Sequence, residues 1–420
     1  MKERFCDAIL VTTLDDIAWT LNLRGSDVHC NPVFVAYLLI TQEETILFVH
    51  PQKVDGQVKE HLDAAGVECD DYDRVGECLQ GMAKGVILLD PNAVNHTLWR
   101  QVGCEVRMAT SPIPAMKAVK NVVETEGFRK AMERDGVAMV KFLRWLDEKM
   151  EKGEVDTLSE MAVDRQLTAY RAEQPLFRGI SFDTIAGYGH HGAIVHYEAT
   201  EATDIALKAR SFLLLDSGGQ YLDGTTDITR TIALGPLTEE ERKVYTLVLK
   251  GHIRLQMLKF PDGACGSQLD AVARSPLWEE GLNFLHGTGH GVGAYLNVHE
   301  GPHQVRMEWK PAPLHAGMTV TDEPGIYVEG KFGVRIENTL LIVPYKTTDF
   351  GSFLQFETLT LCPIDLKPII PELLGEEEKT WLDNYHAMVR ERLSPLLDDN
   401  HRQWLEKATR KIEEDLRFEI

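Results

Sequence analysis

The N-terminal part of the chain alternates short apolar runs with amphipathic segments. FVAYLLI (34–40) and TILFVH (45–50) predict two strands around a polar turn. Residues 54–66 have helical spacing and end on glycine, and GVILLD (85–90) predicts another strand. This alternation of strand and helix signals predicts a small mixed α/β domain over residues 1–112.

The pattern is interrupted at TSPIPAMKAVK, residues 110–120. Pro112 and Pro114 stand two residues apart, and because proline lacks an amide proton, such a segment does not continue a helix. We therefore expect a linker here, with a second and larger domain over residues 113–420.

The second domain begins with a long helical pattern, residues 124–150, in which Gly136 is a weak point. Residues 155–365 mix strand patterns, helical patterns and glycine-rich loops. Residues 376–418 are charged and helical, so we expect a helical extension from about residue 368.

Composition and charge narrow the classes of function. The formal net charge is −21, from 65 acidic against 44 basic residues. Such a chain is not expected to bind nucleic acid or an anionic membrane, because both select a basic face.

No apolar run approaches the ~20 residues of a membrane span, and the N-terminus lacks a signal peptide pattern. The seven scattered cysteines include no C-x-x-C pair, which indicates reduced thiols and a cytoplasmic location.

Two aspartates flank a glycine-rich turn in FLLLDSGGQYLDGTTDITRTIAL, residues 212–234. Asp216 follows four apolar residues, and Asp227 stands eleven residues later at the start of a second strand pattern. A hairpin would bring the two carboxylates together. For one aspartate beside glycine, turn chemistry is the favoured explanation, but Asp216 differs because a carboxylate at the mouth of a buried strand needs a partner.

Two glutamates lie in VTDEPGIYVEGKFGVRIENTLLIV, residues 320–343. Glu323 precedes a Pro-Gly turn. Glu337 lies in a strand-like run over residues 333–343, in which alternation places Arg335, Glu337 and Thr339 on one face. A carboxylate on the inner face of a strand needs a metal ion, a cation or a donor, and a structural Arg–Glu pair is as good an explanation here as a metal site.

The octapeptide HGTGHGVG, residues 286–293, carries His286 and His290 four residues apart. Four glycines disfavour a helix, so the stretch is expected to be loop or strand with its backbone close to a neighbour. A His-x-x-x-His pair is weak alone in a chain with fifteen histidines. His299 and His196 each end a further short apolar run.

The combination is more informative than any single motif. Four carboxylates and one imidazole in strand or turn contexts suit two closely spaced divalent ions. The oxygen-rich set favours Mn²⁺, Co²⁺ or Zn²⁺. Two ions about 3.5–4 Å apart can hold a bridging hydroxide and clamp both ends of a hydrolysed bond. The candidate ligands are Asp216, Asp227, His290, Glu323 and Glu337.

These motifs, in this order, resemble the pita-bread metallopeptidases, a family that includes methionine aminopeptidase, prolidase, aminopeptidase P and creatinase. SFDTIAGYGHHGAIVHY (181–197), DGTTDITRT (223–231) and LHGTGHGVGAYLNVHEGP (285–302) look most like cytosolic Xaa-Pro aminopeptidase, as do LDDIAWTLNLRGSD (14–27) and WLDNYH (381–386). The resemblance covers nearly the whole chain. It implies a creatinase-like N-terminal domain followed by a pita-bread catalytic domain.

The resemblance also implies roles for individual residues. The five ligands named above would hold two ions, with Mn²⁺ as the expected metal, and Glu323 would also accept a proton from the attacking water. His299 would face the scissile carbonyl, and His196 the leaving proline nitrogen. His286 would border the proline pocket. Arg335 would anchor the carboxylates, with Tyr327 beside it.

The family resemblance implies hydrolysis of the N-terminal Xaa-Pro bond of peptides by a homodimeric cytoplasmic enzyme. One departure is that eukaryotic-type relatives carry two small N-terminal domains, and from the resemblance we expect this sequence to begin in the second. Alternatives are an Xaa-Pro dipeptidase, methionine removal, or, in a different class, a catalytically silent protein that only binds partners. All five ligand positions are intact, which disfavours the silent protein.

Overall fold

The computed structural model describes residues 1–412 and divides the chain into two compact units, Met1–Lys117 and Ala118–Ile420. The last six residues of the helical pattern predicted over 376–418 lie outside the described residues. Within 1–412, no helix combines the length and the apolar character that a membrane span requires.

The first unit is one mixed sheet with helices. Its central strand pairs antiparallel with one neighbour and parallel with the other, and the strand order is β4-β3-β2-β1-β5-β6. Apolar residues of the sheet, such as Leu39, Phe48 and Ile87, are fully buried. The elements are β1 (Ala8–Val11), α1 (Leu14–Leu21), β2 (Ala36–Thr41), β3 (Thr45–Val49), α2 (Gly56–Ala64), β4 (Val67–Asp70), α3 (Val75–Gly81), β5 (Val86–Leu89), α4 (His96–Gln101) and β6 (Glu105–Met108).

The proline segment expected to be a linker contains a short helix, α5 (Ile113–Ala118). Pro114 is the second residue of this helix, where an amide proton would have no partner inside the helix, so proline is tolerated. The Met116 amide donates to the Pro112 carbonyl at 3.2 Å. The expectation that two prolines exclude helix was therefore wrong for this segment.

The second unit is organised by the long helix α6 (Val122–Glu151). Its first turn is closed by a capping box, in which Asn121 and Glu124 exchange hydrogen bonds of 2.9 Å. Gly136 does not interrupt the helix. A Cβ on Gly136 would lie 2.5 Å from the Leu361 carbonyl oxygen, so the glycine permits close packing at this point.

The strands of the second unit form several small, mostly antiparallel sheets. The strand orders are β11-β10-β7, β12-β9-β8 and β13-β20-β19-β16, with the pairs β14-β15 and β17-β18. The strands are β7 (Phe177–Ile180), β8 (Ile185–Tyr188), β9 (Phe212–Ser217), β10 (Gly219–Tyr221), β11 (Gly224–Thr225), β12 (Ile228–Ala233), β13 (Lys259–Pro261), β14 (Gly289–Gly291), β15 (Glu300–Val305), β16 (Thr319–Asp322), β17 (Gly325–Val328), β18 (Phe332–Arg335), β19 (Asn338–Thr348) and β20 (Gly351–Thr358).

Helices supply much of the apolar core around these strands. The largest cluster joins Val140 of α6, Val248 of α8, Val334 of β18 and Val389 of α10, all fully buried. This core fixes the inner strands whose polar residues form the site described below. The remaining helices are α7 (Glu160–Ala172), α8 (Glu239–Gln256), α9 (Gly266–Trp278), α10 (Glu376–Leu393) and α11 (Asp399–Ala408).

A buried ionic triad links α6, α7 and β10. Arg171 Nε donates to Asp135 Oδ1 at 2.8 Å, Arg171 Nη2 donates to Oδ2 at 3.0 Å, and the Tyr221 hydroxyl donates to Oδ1 at 3.0 Å. Arg171 and Tyr221 are completely buried. Removing the carboxylate would leave a buried guanidinium without its counter-charge.

Replacing Asp135 by alanine is therefore expected to lower the free energy of unfolding by roughly 3–5 kcal/mol. The matched control is Glu126→Ala on the same helix, whose exposed carboxylate faces Arg129 at 3.5 Å and should contribute less than about 1 kcal/mol. Urea unfolding followed by far-UV circular dichroism compares the two. Equal losses in both variants would contradict a stabilising role for the buried triad.

Candidate metal centre

The two aspartates are brought together by the pairing of β9 with β12. Asp216 lies near the end of β9 opposite Thr229, and Asp227 immediately precedes β12. The turn between these strands contains the small hairpin β10–β11. One carboxylate oxygen each from Asp216, Asp227 and Glu337 lie within 4.8 Å of one another, and all three side chains are buried. The hairpin predicted from the sequence thus gathers both aspartates.

The two glutamates enter the same space from other strands. Glu323 follows β16, and its amide donates to the Thr288 carbonyl at 2.7 Å. Glu337 lies in the break between β18 and β19, where its amide donates to the Thr229 carbonyl at 3.1 Å. The run predicted as one strand over residues 333–343 is thus two strands. The Glu337 side chain nevertheless faces the interior, as expected, because the Thr229 hydroxyl of the neighbouring strand β12 donates to Glu337 Oε2 at 2.8 Å.

His290 completes the cluster from β14. Its Nε2 atom lies 3.4 Å from Asp227 Oδ2 and 3.4 Å from Glu323 Oε1. Its Nδ1 atom donates to the Gly291 carbonyl at 2.9 Å, and burial lowers its pKa to about 4. A neutral imidazole with its proton on Nδ1 turns a lone pair toward two carboxylates. The Nε2 lone pair and the two carboxylates repel one another, and a cation between them would remove this repulsion.

The glycines of HGTGHGVG allow the backbone to come close to its neighbours. A Cβ on Gly289 would lie 1.9 Å from the Thr321 carbonyl oxygen, and one on Gly291 would lie 2.5 Å from that of Glu300. Gly287 has room, since the nearest atom to its Cβ, the Val305 carbonyl oxygen, would be 3.5 Å away. The close approach expected from the sequence is therefore to β16 and β15.

The carboxyl groups of the cluster carry an electrostatic cost. Burial, followed by the charge of a neighbouring carboxylate, raises the pKa of Asp227, Glu323 and Glu337 well above the ordinary range. Asp216 Oδ1 and Glu337 Oε1 are buried and accept no hydrogen bond from any described residue. Buried acceptors of this kind, with one imidazole nitrogen, fit the donor set of divalent Mn²⁺, Co²⁺ or Zn²⁺.

Arg335 of β18 contacts the cluster from behind. Its Nη2 atom donates to Asp216 Oδ2 at 2.7 Å, and its Nε atom donates to the Thr229 hydroxyl at 3.3 Å. The direct ion pair is therefore with Asp216. The structural Arg–Glu pair considered from the sequence is not a direct contact: Arg335 and Glu337 both contact the Thr229 hydroxyl, and the charge of Arg335 acts on Glu337 at longer range.

Tyr327 and His286 extend this network. Arg335 Nη1 donates to the Tyr327 hydroxyl at 2.6 Å. His286 Nδ1 donates to the Gly287 carbonyl at 2.8 Å, so Nε2 accepts from the Tyr327 hydroxyl, also at 2.8 Å. Both ring nitrogens of His286 are thus used inside the protein. Desolvation, followed by the charge of Arg335, lowers the pKa of His286 to about 4 and keeps it neutral.

The cluster opens into a cleft of about 460 Å³, a size typical of small-ligand sites. His196, His286 and His299 line this cleft together with the five candidate ligands. The His299 and His290 rings lie 4.1 Å apart, and a nitrogen of His299 groups with atoms of Asp227 and His290 within 4.8 Å. The structure therefore gathers every candidate residue except Tyr327 at the cleft wall, and Tyr327 lies directly behind it.

Sequence reasoning missed the residues that hold the histidine loop. Arg274 of α9 is buried, donates to the Phe284 and His286 carbonyls at 2.5 and 2.8 Å, and pairs with Asp270. Asp270 in turn accepts from the Thr288 hydroxyl at 2.5 Å. The Asp–Arg pair at i and i+4, on a helix preceding the motif, was the available signal.

Arg230 was missed as well. It is buried on β12 and donates to the Glu337 carbonyl at 2.7 Å and to the Cys362 carbonyl at 2.9 Å. It fixes the backbone on which Glu337 stands. Its only sequence signal was a charged residue inside an otherwise apolar and hydroxyl-bearing strand.

Residues 126–344 match Metallopeptidase family M24, residues 1–124 match the Creatinase/Prolidase N-terminal domain, and residues 352–412 match the C-terminal region of peptidase_M24. The chain belongs to metallopeptidase family M24. The α/β fold predicted from the sequence, a small N-terminal domain followed by a pita-bread catalytic domain, is confirmed.

Within this family, the chain is similar over nearly its whole length to Xaa-Pro aminopeptidases. It is 44% identical to a probable Xaa-Pro aminopeptidase P of Laccaria bicolor, over 97% of this chain and 65% of that protein. It is 40% identical to Xaa-Pro aminopeptidase 1 of Dictyostelium discoideum, over 98% of this chain and 67% of that protein. The chain spans about two thirds of the length of these relatives.

Solved structures agree with the sequence comparison. An X-prolyl aminopeptidase from Caenorhabditis elegans, described as a cytosolic enzyme with a di-nuclear active site, superposes with a TM-score of 0.92 at 36% identity. The superposition covers 98% of this chain and 69% of that one. An Xaa-Pro dipeptidase from Bacillus anthracis, at 24% identity and a TM-score of 0.67, shares the fold over 87% of this chain and 95% of that one.

Gly289→Ala is expected to abolish metal binding, because the added methyl would displace β14 from β16 and move His290 away from the carboxylates. Gly287→Ala is the matched control and should bind metal like the parent, since its methyl meets only ordinary contacts. Isothermal titration of metal-stripped protein with Mn²⁺ measures both. Binding by Gly289→Ala with the parent's affinity would contradict the role given to this glycine.

The stabilisation that metal provides should grow with pH. Below their raised pKa values the carboxyls hold protons that relieve the repulsion, and as pH rises through those values the metal-free protein loses this stability. The metal-bound protein keeps its charges compensated. Calorimetry should therefore give a difference in Tm between Mn²⁺-loaded and metal-free protein that increases from pH ~5 to ~8. A constant or narrowing difference would show that carboxylate repulsion does not limit the stability of the metal-free protein.

Proposed function

We propose that this chain is a two-metal aminopeptidase that removes the first residue from peptides with proline in second position. The observation that carries the proposal is the convergence of four carboxylates and one neutral imidazole in an open cleft. The similarity of nearly the whole chain to Xaa-Pro aminopeptidases supports the Xaa-Pro bond as the bond that is cleaved.

The proposed ligands of the two ions are Asp216, Asp227, His290, Glu323 and Glu337, and Mn²⁺ is the proposed metal. When bound, two such ions supply an activated water and polarise the scissile carbonyl. Support comes from the buried acceptors of Asp216 and Glu337 and from the lone pair that His290 turns toward Asp227 and Glu323.

The positions of the side chains support the remaining proposed roles. Glu323 is proposed to accept a proton from the attacking water, because its carboxylate lines the cleft beside His290. His299 donates toward the charge that develops on the carbonyl oxygen, and its position beside His290 supports this role. His196, on the cleft wall, delivers a proton to the leaving proline nitrogen.

The cleft also suits a proline ring. An Xaa-Pro bond is a tertiary amide whose nitrogen carries no proton, so a proline subsite needs apolar walls and no acceptor for that nitrogen. Both nitrogens of His286 are already bonded to Gly287 and Tyr327, so the ring offers the cleft only its carbon edge. His286 therefore borders the proposed proline subsite.

Arg335 is proposed to hold Asp216 in position for the metal, and Tyr327 to connect Arg335 to His286.

We further propose a cytoplasmic homodimer. The seven cysteines, all within the described residues and none of them in a disulfide, and the cytosolic description of the Caenorhabditis elegans relative support the location. The acidic net charge favours peptides over nucleic acid or membrane as partners.

The test is hydrolysis of an Arg-Pro-Pro peptide by metal-stripped protein reconstituted with Mn²⁺. Release of free arginine should depend on the metal, and Asp227→Asn should lower kcat/KM by at least about 10³-fold, because it removes a charged ligand at the metal centre. The matched control is Asp223→Asn, in the same turn, whose carboxylate pairs with Arg134 instead of facing the cluster, and it should retain activity.

Two results would contradict the proposal. One is a folded parent protein that binds two ions yet releases no arginine with Mn²⁺, Co²⁺ or Zn²⁺. The other is release of proline from Xaa-Pro dipeptides without any hydrolysis of the tripeptide, which would make the chain a dipeptidase.

A further inference from the structure

One wall of the cleft is a short segment that holds none of the five proposed metal ligands. Residues 189–197, called the cleft loop below, follow β8 and begin with the 3-10 turn Gly189–Ala193. Val195, His196 and Tyr197 of this loop line the cleft. The position of His196 therefore depends on what holds the loop.

Glu160 holds the loop from the protein interior. Its side chain is completely buried at the start of α7, and it is not among the residues that line the cleft. Its carboxylate accepts three hydrogen bonds: from the Tyr188 amide at 2.7 Å, from the Tyr197 hydroxyl at 2.8 Å and from His191 Nδ1 at 2.9 Å. These donors stand immediately before the loop, at its end and within it.

The surroundings favour this arrangement. Glu160 is the first residue of α7, where the helix dipole stabilises a negative charge, and Ser159 caps the helix by accepting from the Ala162 amide. The His191 and Tyr197 rings stack at 4.4 Å between centroids. A single carboxylate thus fixes both the backbone and the aromatic side chains of the loop.

The opposite side of the loop is fixed by β18. A Cβ on Gly333 would lie 1.7 Å from the Gly192 carbonyl oxygen, so the loop backbone packs directly on the strand. Arg335 Nη2 donates to the Val195 carbonyl at 3.3 Å and also to Asp216 at 2.7 Å. The loop is therefore held between Glu160 and the arginine that contacts the candidate metal centre.

We propose that Glu160 is a positioning residue for the peptidase reaction, because it fixes the cleft loop so that His196 faces the leaving nitrogen of the peptide. This inference rests on the function proposed above. Glu160 acts through His196 and touches neither the metal ligands nor the cleft.

The first variant is Glu160→Gln. It keeps the shape of the side chain but replaces one acceptor oxygen by an amide NH2 group, which cannot accept from Tyr188, His191 or Tyr197. We expect kcat for Arg-Pro-Pro to fall at least about tenfold, since small displacements of a reacting group reduce rates strongly. Binding of two Mn²⁺ should be unchanged by titration calorimetry. Glu173→Gln, an exposed glutamate at the other end of α7, is the matched control and should keep full activity.

A double-mutant cycle with His196→Ala separates positioning from general damage. If Glu160 acts through His196, Glu160→Gln should change kcat less than about twofold in the His196→Ala background. Full multiplication of the two losses, or an unchanged kcat in Glu160→Gln alone, would overturn the proposal.

His191 gives a second and milder test, which also serves if Glu160→Gln does not fold. His191→Ala removes one donor to Glu160. It should lower kcat in the otherwise unchanged protein but not in the His196→Ala variant. His191→Asn restores a donor and should recover most of the activity. Equal activity of the alanine and asparagine variants would overturn the proposal.

Hydrogen exchange separates this inference from the proposed function. The amides of residues 188–197 should exchange faster in Glu160→Gln than in the parent, whether or not peptide is hydrolysed. Unchanged exchange would count against Glu160 alone. A parent that hydrolyses no Xaa-Pro peptide would count against the proposed function, and with it against a catalytic purpose for the loop.

Discussion

Repulsion among buried carboxylates is the constraint around which the second unit is built. Asp227 and Glu323 face the lone pair of His290, and Glu337 and Asp216 lie beside them. Burial together with mutual charge raises the pKa of Asp227, Glu323 and Glu337. Such a cluster of ionised carboxylates destabilises a fold unless bound protons or cations compensate the charge. The proposed chemistry therefore depends on the ionic interaction between these carboxylates and divalent metal ions.

The surrounding structure keeps these groups together against their repulsion. The β9–β12 hairpin sets the two aspartates, while buried arginines fix the elements that carry the other donors: Arg335 holds Asp216, Arg230 the backbone of Glu337, and Arg274 the histidine loop. Arg230 and Arg274 donate to backbone carbonyls behind the cluster. Arg335 lines the cleft and donates to Asp216 within the cluster. The three guanidinium groups thus maintain the geometry of the cluster.

The sequence predicted the parts of this site that are written in local patterns. Asp216 and Asp227 flank a hairpin signal, Glu323 precedes a Pro-Gly turn, and the glycines beside His290 indicate a close backbone approach. What the patterns did not give depends on contacts between distant segments. The break that places Glu337 between two strands, the pairing of Arg335 with Asp216, and the anchoring of the cleft loop by Glu160 join residues 28 to 119 positions apart. The helix α5 was mispredicted because proline is excluded from helix interiors but not from first turns.

The most direct test of a two-metal centre is anomalous diffraction from crystals of the Mn²⁺-loaded protein. Two peaks are expected in the cleft, one beside Asp216 and Asp227 and one beside His290 and Glu323, with Glu337 between them. A single peak, or manganese bound away from these five side chains, would contradict the proposed centre.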